Sequence, residues 1–397
     1  MPTAPPAPDS SAPSPDPASE RRPHMEHSSS SRAPPPAAGS QLAAPQPERH
    51  ARLVTEIVQL PPDPDSDDSD DERNPAVDRA PTDGDGAPDD DFLSTYPDDT
   101  EELHLQHLRL ENSSLLPLHL PRFTHLNRLC LRQNELSSPL PADCFTLNEL
   151  EDLDLYDNRL GPRVEDAELK GASKVTSLDL SFNNIRHVPN LPSLRDVDTL
   201  YLVQNKISRI DEGVLDWCAE KMKSIELGGN RIRVMENMAM LTKLEELWLG
   251  KNKIRKLECL DTFSNLKILS IQSNRITKME GLEGLVNLEE LYLSHNGLRK
   301  IEGLEKNTKL RTLDVGNNEI EEVEGVSHLA DLEEFWASYN KIPNLRSVEK
   351  ELRGLKHLET VYLEGNPCQI NDRAQYRRKV MLALPQVKQI DATFVRT

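Results

Sequence analysis

One spacing constrains this chain more than any other feature. From Leu126 onward the pattern Leu-x-x-Leu-x-Leu-x-x-Asn-x-Leu/Ile recurs, as in 244-LEELWLGKNKI-254, 266-LKILSIQSNRI-276, 288-LEELYLSHNGL-298 and 310-LRTLDVGNNEI-320. Its Asn falls at 134, 158, 183, 205, 230, 252, 274, 296, 318, 340 and 366. From Asn230 to Asn340 the step is 22 residues every time, and elsewhere it is 22 to 26. A degenerate unit, 103-LHLQHL-108, starts the array and brings it to about twelve units. So many copies at one short period mean stacked units, none of which can bury its apolar side alone.

In Leu-x-Leu the side chains alternate, so both Leu point to one side and the middle residue to the other. The Leu side is the core. The Asn leaves the strand where the chain turns, and its amide is placed to satisfy backbone groups of its own and the next repeat. Ile276, Met279, Leu282, Leu285 and Leu288 recur every three residues, which predicts a 3₁₀-like or short helical back wall. The pattern is that of the leucine-rich repeat. It predicts an α/β solenoid, a curved leucine-rich-repeat array of about twelve short repeats with a parallel concave sheet. Eleven strand steps of about 4.8 Å span on the order of 50 Å, enough to hold a folded protein. The solenoid occupies residues 101–366. Beyond it, 367–397 breaks the period and reads as a C-terminal cap. There Tyr376, Val380, Met381 and Leu384 are placed on one helical face, followed by a strand-like 387-VKQID-391. The basic 377-RRK-379 is either a docking patch or a solvated cap surface.

Residues 1–100 differ in kind. They hold 20 of the 30 prolines, and 21 Asp and Glu against 7 Lys and Arg, a net −14 of the chain's −20. Such a segment cannot build a core that offsets its ordering entropy, so a disordered tail is expected. Within it 51-ARLVTEIVQL-60 reads either as stray apolar residues or as a short docking helix. In 63-DPDSDDSDDE-72, Ser66 and Ser69 stand in the acidic context that acid-directed kinases such as casein kinase 2 choose. They are candidate phosphorylation sites, or part of a merely solvating run.

The net charge argues against nucleic acid and an anionic membrane as partners, because both attract excess Lys and Arg. A basic surface on another protein fits better. The five cysteines show no metal-ligand spacing, and no cofactor is expected. No apolar run approaches the roughly 18 residues of a membrane span, and no secretory signal is present at the N-terminus. The expectation is a soluble intracellular protein.

The middle residues of the Leu-x-Leu units form a column on the concave face: Cys130, Asp154, Asp179, Tyr201, Glu226, Trp248, Ser270, Tyr292, Asp314, Trp336 and Tyr362. Glu334 joins them, two residues before Trp336. Five of the eleven are Trp or Tyr, four are Asp or Glu, and none is Lys or Arg. Aromatics suit strands by propensity alone. Five in a solvent-facing column, however, form the kind of apolar patch that soluble proteins keep for use, flanked here by carboxylates as in an interface hot spot. The aspartates lie on different strands with no nucleophile, phosphate loop or metal cluster beside them, so no enzymatic activity is expected.

The segments 129-LCLRQN-134, 153-LDLYDN-158, 247-LWLGKN-252, 291-LYLSHNGL-298, 361-VYLEGNP-367 and above all 376-YRRKVMLALPQVKQIDATFVR-396 resemble the leucine-rich-repeat regulatory subunit of protein phosphatase 1, the regulatory subunit 7 family. The resemblance covers about residues 100–397. It implies a concave face that binds the catalytic subunit of the Ser/Thr phosphatase and controls its assembly and activity. It also implies work in nucleus and cytoplasm and a role in mitotic chromosome segregation, and it leaves room for a further regulatory subunit in a ternary complex. The contact residues it implies are Asp179, Tyr201, Glu226, Trp248, Asp314, Glu334, Trp336 and Tyr362; alternation adds Tyr292. Family members can have Phe at the positions of Tyr201 and Trp248. The basic-Val-x-Phe peptide of other phosphatase-1 regulators has no convincing copy here, the nearest being 174-KVTSL-178. The alternative is an adaptor of the same repeat class for a different protein, of the splicing or tubulin-folding type.

Overall fold

The protein is described by a computed structural model over residues 92–395. Ser66, Ser69 and the 51–60 segment lie outside the described residues.

Each repeat supplies one three-residue strand: β1 (Glu102–His104), β2 (Arg128–Cys130), β3 (Asp152–Asp154), β4 (Ser177–Asp179), β5 (Thr199–Tyr201), β6 (Ser224–Glu226), β7 (Glu246–Trp248), β8 (Ile268–Ser270), β9 (Glu290–Tyr292), β10 (Thr312–Asp314), β11 (Glu334–Trp336) and β12 (Thr360–Tyr362). All pair in parallel and in chain order. The register never slips: Ile225 lies beside Leu247, Leu247 beside Leu269, Leu269 beside Leu291 and Leu291 beside Leu313. The central residue of every strand therefore joins one buried row. Replacing Leu291 with Ala is expected to cost about 2–5 kcal/mol in a denaturant titration, since its neighbours on both sides are pinned and the cavity cannot collapse.

The ladder Asn holds the turns. The Asn252 Nδ2 donates to Leu249 O at 3.1 Å in its own repeat and to Leu227 O at 2.9 Å, and its Oδ1 accepts from the Ile232 N–H at 2.9 Å. Leu227 and Ile232 belong to the preceding repeat, not the next. The same three bonds recur from Asn134, which reaches Leu105, to Asn366, which reaches Ala337. The direction is reversed from expectation because the Asn sits after its strand, level with the turn behind it. The residue just before each Asn adopts a left-handed backbone, from Gln133 (φ 57°) through Lys251 (φ 54°) to Gly365 (φ 75°).

On the opposite wall the every-third-residue spacing produces i→i+3 turns, such as Leu285 N–H to Leu282 O at 3.1 Å. In the 22-residue repeats these turns do not lengthen into a helix. Short helices appear only in the longer repeats: Asn112–Leu115, Leu116–Leu118 and Leu120–Arg122 in the first, then Ala142–Phe145, Asp166–Leu169, Asp216–Cys218 and Arg346–Leu352. The two to four extra residues are taken up there, while the strands keep their spacing.

Both ends are sealed. Residues 92–100, assigned to the tail by composition, instead fold onto the first repeat. Leu93 is buried, and Arg122 donates to Leu93 O at 2.6 Å and pairs with Asp98 at 2.5 Å. At the other end the cap helix Arg373–Ala383 buries Tyr376, Val380 and Ala383, with Leu384 just beyond it. Met381 points outward, contrary to expectation, because one residue past Val380 is about 100° off the buried stripe. β13 (Gln389–Ile390) continues the sheet in parallel, and β14 (Thr393–Phe394) folds back antiparallel. Arg377 is spent on the cap itself, donating to Ile390 O, Thr393 O and Phe394 O, and Lys379 pairs with Asp372.

Candidate protein-docking face

The strand register puts the predicted column on one face, but its members are not equally open. Trp248, Trp336, Tyr362, Tyr201, Glu226, Asp179 and Glu334 are half-buried, whereas Tyr292 is only 6% exposed and Asp314, Ser270, Asp154 and Cys130 are buried. The reason is size alternation. Ser270 and Asp314 are small, and the rings on either side close over them. Trp248 reaches Tyr292 across the Ser270 strand at 6.4 Å between centroids, nearly parallel, and Tyr292 reaches Trp336 across the Asp314 strand at 6.1 Å. Trp336 then meets Tyr362 edge-on at 5.8 Å. Such offset and edge-to-face geometries are the favourable ones. Four rings thus form one continuous aromatic strip over β7 to β12.

Each of three rings has its own carboxylate, two residues earlier on the same strand. The Tyr292 hydroxyl donates to Glu290 Oε2 at 2.6 Å, the Trp336 Nε1 to Glu334 at 2.9 Å, and the Trp248 Nε1 to Glu246 at 3.4 Å. The Tyr362 hydroxyl accepts from Gln389 of the cap at 2.8 Å. These bonds fix the rotamers of the rings before any partner arrives, which lowers the ordering cost of binding. Asp314 is structural as well: it accepts from the Gly316 N–H at 2.9 Å, and burial pushes its carboxyl above the usual range.

The other half of the face is acidic. Burial, reinforced by the Asp154 charge, raises Asp179 to about 6 even though Arg132 stands 3.5 Å away. Arg132 is drawn more strongly to Asp154, at 3.1 Å, and stacks on the Tyr156 ring at 4.3 Å. Burial, with help from Asp179 and Glu246, raises Glu226 to about 7. No cation of this chain is in ion-pair range of Glu226 among the described residues. The face therefore offers a desolvated carboxylate lacking a counter-ion beside a preformed aromatic strip. Sequence reasoning missed Arg132, Tyr156, Glu246 and Glu290. The two glutamates were legible by the same alternation that found Glu334. Among the described residues no group of acidic, His or Cys side chains is arranged to hold a metal ion, and no helix is long and apolar enough to cross a membrane.

The repeat and the sheet define a leucine-rich-repeat protein. Family patterns agree: "Leucine Rich repeats (2 copies)" matches residues 264–306 and 286–330, and "Leucine-rich repeat" matches 161–249. Within that class the chain is similar to the leucine-rich-repeat regulatory subunits of protein phosphatase 1. It is 45% identical over 106 residues to protein phosphatase 1 regulatory subunit SDS22 of Saccharomyces cerevisiae, covering 27% of this chain and 30% of that one. It is 72% identical over 46 residues to protein phosphatase 1 regulatory subunit 7 of Homo sapiens, 12% of each chain. The matched stretches thus span under a third of those relatives. Among solved structures, an internalin (inlF) of Listeria monocytogenes aligns with a TM-score of 0.56 at 21% identity, over 71% of this chain and 83% of that one. A Leptospira interrogans leucine-rich-repeat protein aligns at 0.55 and 21%, over 68% and 79%. These two likenesses establish the fold alone.

Proposed function

We propose that this chain is a non-catalytic regulatory subunit that binds the catalytic subunit of protein phosphatase 1 through its sheet face. In this reading it governs that enzyme's assembly, activity or localisation in nucleus and cytoplasm, including during mitosis. The names of the relatives support the regulatory role. One observation carries the choice of face: the aromatic strip Trp248–Tyr292–Trp336–Tyr362 continues into an acidic surface where, among the described residues, no cation of this chain is in ion-pair range of Glu226. A basic patch with apolar neighbours complements both halves.

The direct test is capture of the phosphatase subunit from extract by the full chain, compared with a Trp248→Ala/Trp336→Ala double variant checked for folding. Loss of capture only in the variant supports the face. Retention by both sinks it, and capture of some other protein instead sinks the partner.

The raised carboxyls give a pH signature. A bound cation returns Asp179 and Glu226 toward their ordinary values, so binding releases protons between about pH 5 and 7. Affinity should fall as pH drops from 8 toward 5.5, by up to about tenfold per pH unit for each proton released. Calorimetry in two buffers of different ionisation enthalpy counts those protons. Glu226→Gln should remove the component near pH 7. For the free protein the sign is opposite. These two groups favour folding most at pH below their ordinary values, and that contribution is lost as pH rises through 6 and 7.

A further inference from the structure

Eleven turns place a residue in the left-handed region just before the ladder Asn. A large side chain is disfavoured there, while glycine and asparagine are at ease. Nine of the eleven are glycine or carry a polar side chain whose tip stays hydrated; Phe182 (φ 56°) and Tyr339 (φ 55°) are aromatic. Both rings are also open to solvent, 39% and 48% exposed. Each is braced on one side only. Phe182 leans on Tyr156 with centroids 4.7 Å apart, and the Tyr339 ring lies over Gly365, where a Cβ would collide with it. Two exposed aromatics at the positions least suited to them are a double cost, and strain of this kind is typically kept where it serves a site.

Their placement says what they serve. Phe182 follows Asp179 by three residues at the end of β4, and Tyr339 follows Trp336 by three at the end of β11. Both therefore stand on the same rim of the sheet, seven strand steps apart, on the order of 34 Å. Between them lie the acidic surface and most of the aromatic strip. A partner patch of standard size, about 800 Å² a side, is about that wide.

We propose that Phe182 and Tyr339 are two rim posts that grip apolar side chains of the same protein that occupies the sheet face. This rests on the reading of that protein as the phosphatase catalytic subunit. The footprint would then extend beyond the central column, with an apolar contact at each end holding a charged and aromatic middle in register.

The test pairs binding with stability, using the full chain and the isolated phosphatase catalytic subunit. Phe182→Asn and Tyr339→Asn place a residue at ease in the left-handed turn, so each variant should melt no lower than the parent protein. Each should weaken binding about tenfold or more, and the double variant about a hundredfold, since sites this far apart add. Unchanged binding by both variants, with the parent binding, overturns the posts and leaves the proposed function standing. A drop in melting temperature that accompanies the binding loss overturns them too, because the rings would then be structural. If the parent itself does not bind, the proposed function fails, and the posts lose their occupant with it.

Discussion

Asn252→Ala should lower the unfolding free energy by about 1–3 kcal/mol, though it removes no apolar contact. The substitution strands the buried Ile232 N–H, while the carbonyls of Leu227 and Leu249 each keep one donor, the Nδ2 of Asn230 and of Asn274. An orphaned buried donor costs about that much. Asn252→Asp is the informative companion. It keeps the acceptor for Ile232 but sets a carboxylate against two carbonyls, so it should be at least as damaging at neutral pH and recover as the carboxyl protonates. Thermal melts at pH 7 and pH 4 read both. If Asn252→Ala melts within about 2 °C of the parent, the amide is not carrying the turn.

Trp336→Ala should weaken the phosphatase partner by about 2 kcal/mol or more, about thirtyfold in Kd, while leaving the fold nearly intact. The ring is half-buried at the centre of the strip, held by Glu334 at 2.9 Å and touching Tyr292 and Tyr362. Its removal opens a surface groove, not an internal cavity. Tyr292→Ala is the contrasting case. That ring is 6% exposed and spans the Asp314 strand, so its loss should cost stability, about 3 kcal/mol, as well as binding. If the two variants cost the same stability, the alternation of open and closed rings is wrong. Titration calorimetry and chemical denaturation on the same preparations separate the outcomes.

The sequence announced the repeat, the strand faces and the cap because each has a short-range period. Two Leu flanking one residue fix which side is core, and a constant step fixes the register. What the sequence hid depends on relations between strands. That Tyr292 closes over its neighbours follows from Ser270 and Asp314 being small on the adjoining strands, a two-dimensional pattern invisible along the chain. The same holds for Arg132, which spends its charge on Asp154 and Asp179 one and two strands away. Residues 92–100 were hidden for another reason. Their composition is that of the tail, and what ties them to the array is Leu93, the carbonyls and the Asp98 carboxylate used by Arg122, and the Asp98 carbonyl that accepts from the Thr124 N–H. The rim aromatics were legible in principle: a Phe and a Tyr directly before the Asn break a rule that the other turns keep.

The backward reach of the ladder Asn gives the solenoid a direction. Every repeat has its turn completed by an amide that lies one repeat later in the chain, and the final repeat is completed by Asp391, which accepts from the Leu363 and Glu364 N–H groups at 2.8 and 3.0 Å. A chain synthesised from its N-terminus therefore always carries one unfinished turn, about 22 residues behind the newest residue. The growing end stays open until Asp391 is made, whereas the first repeat is sealed by residues already in place, so the array closes from its N-terminal end to its C-terminal clasp.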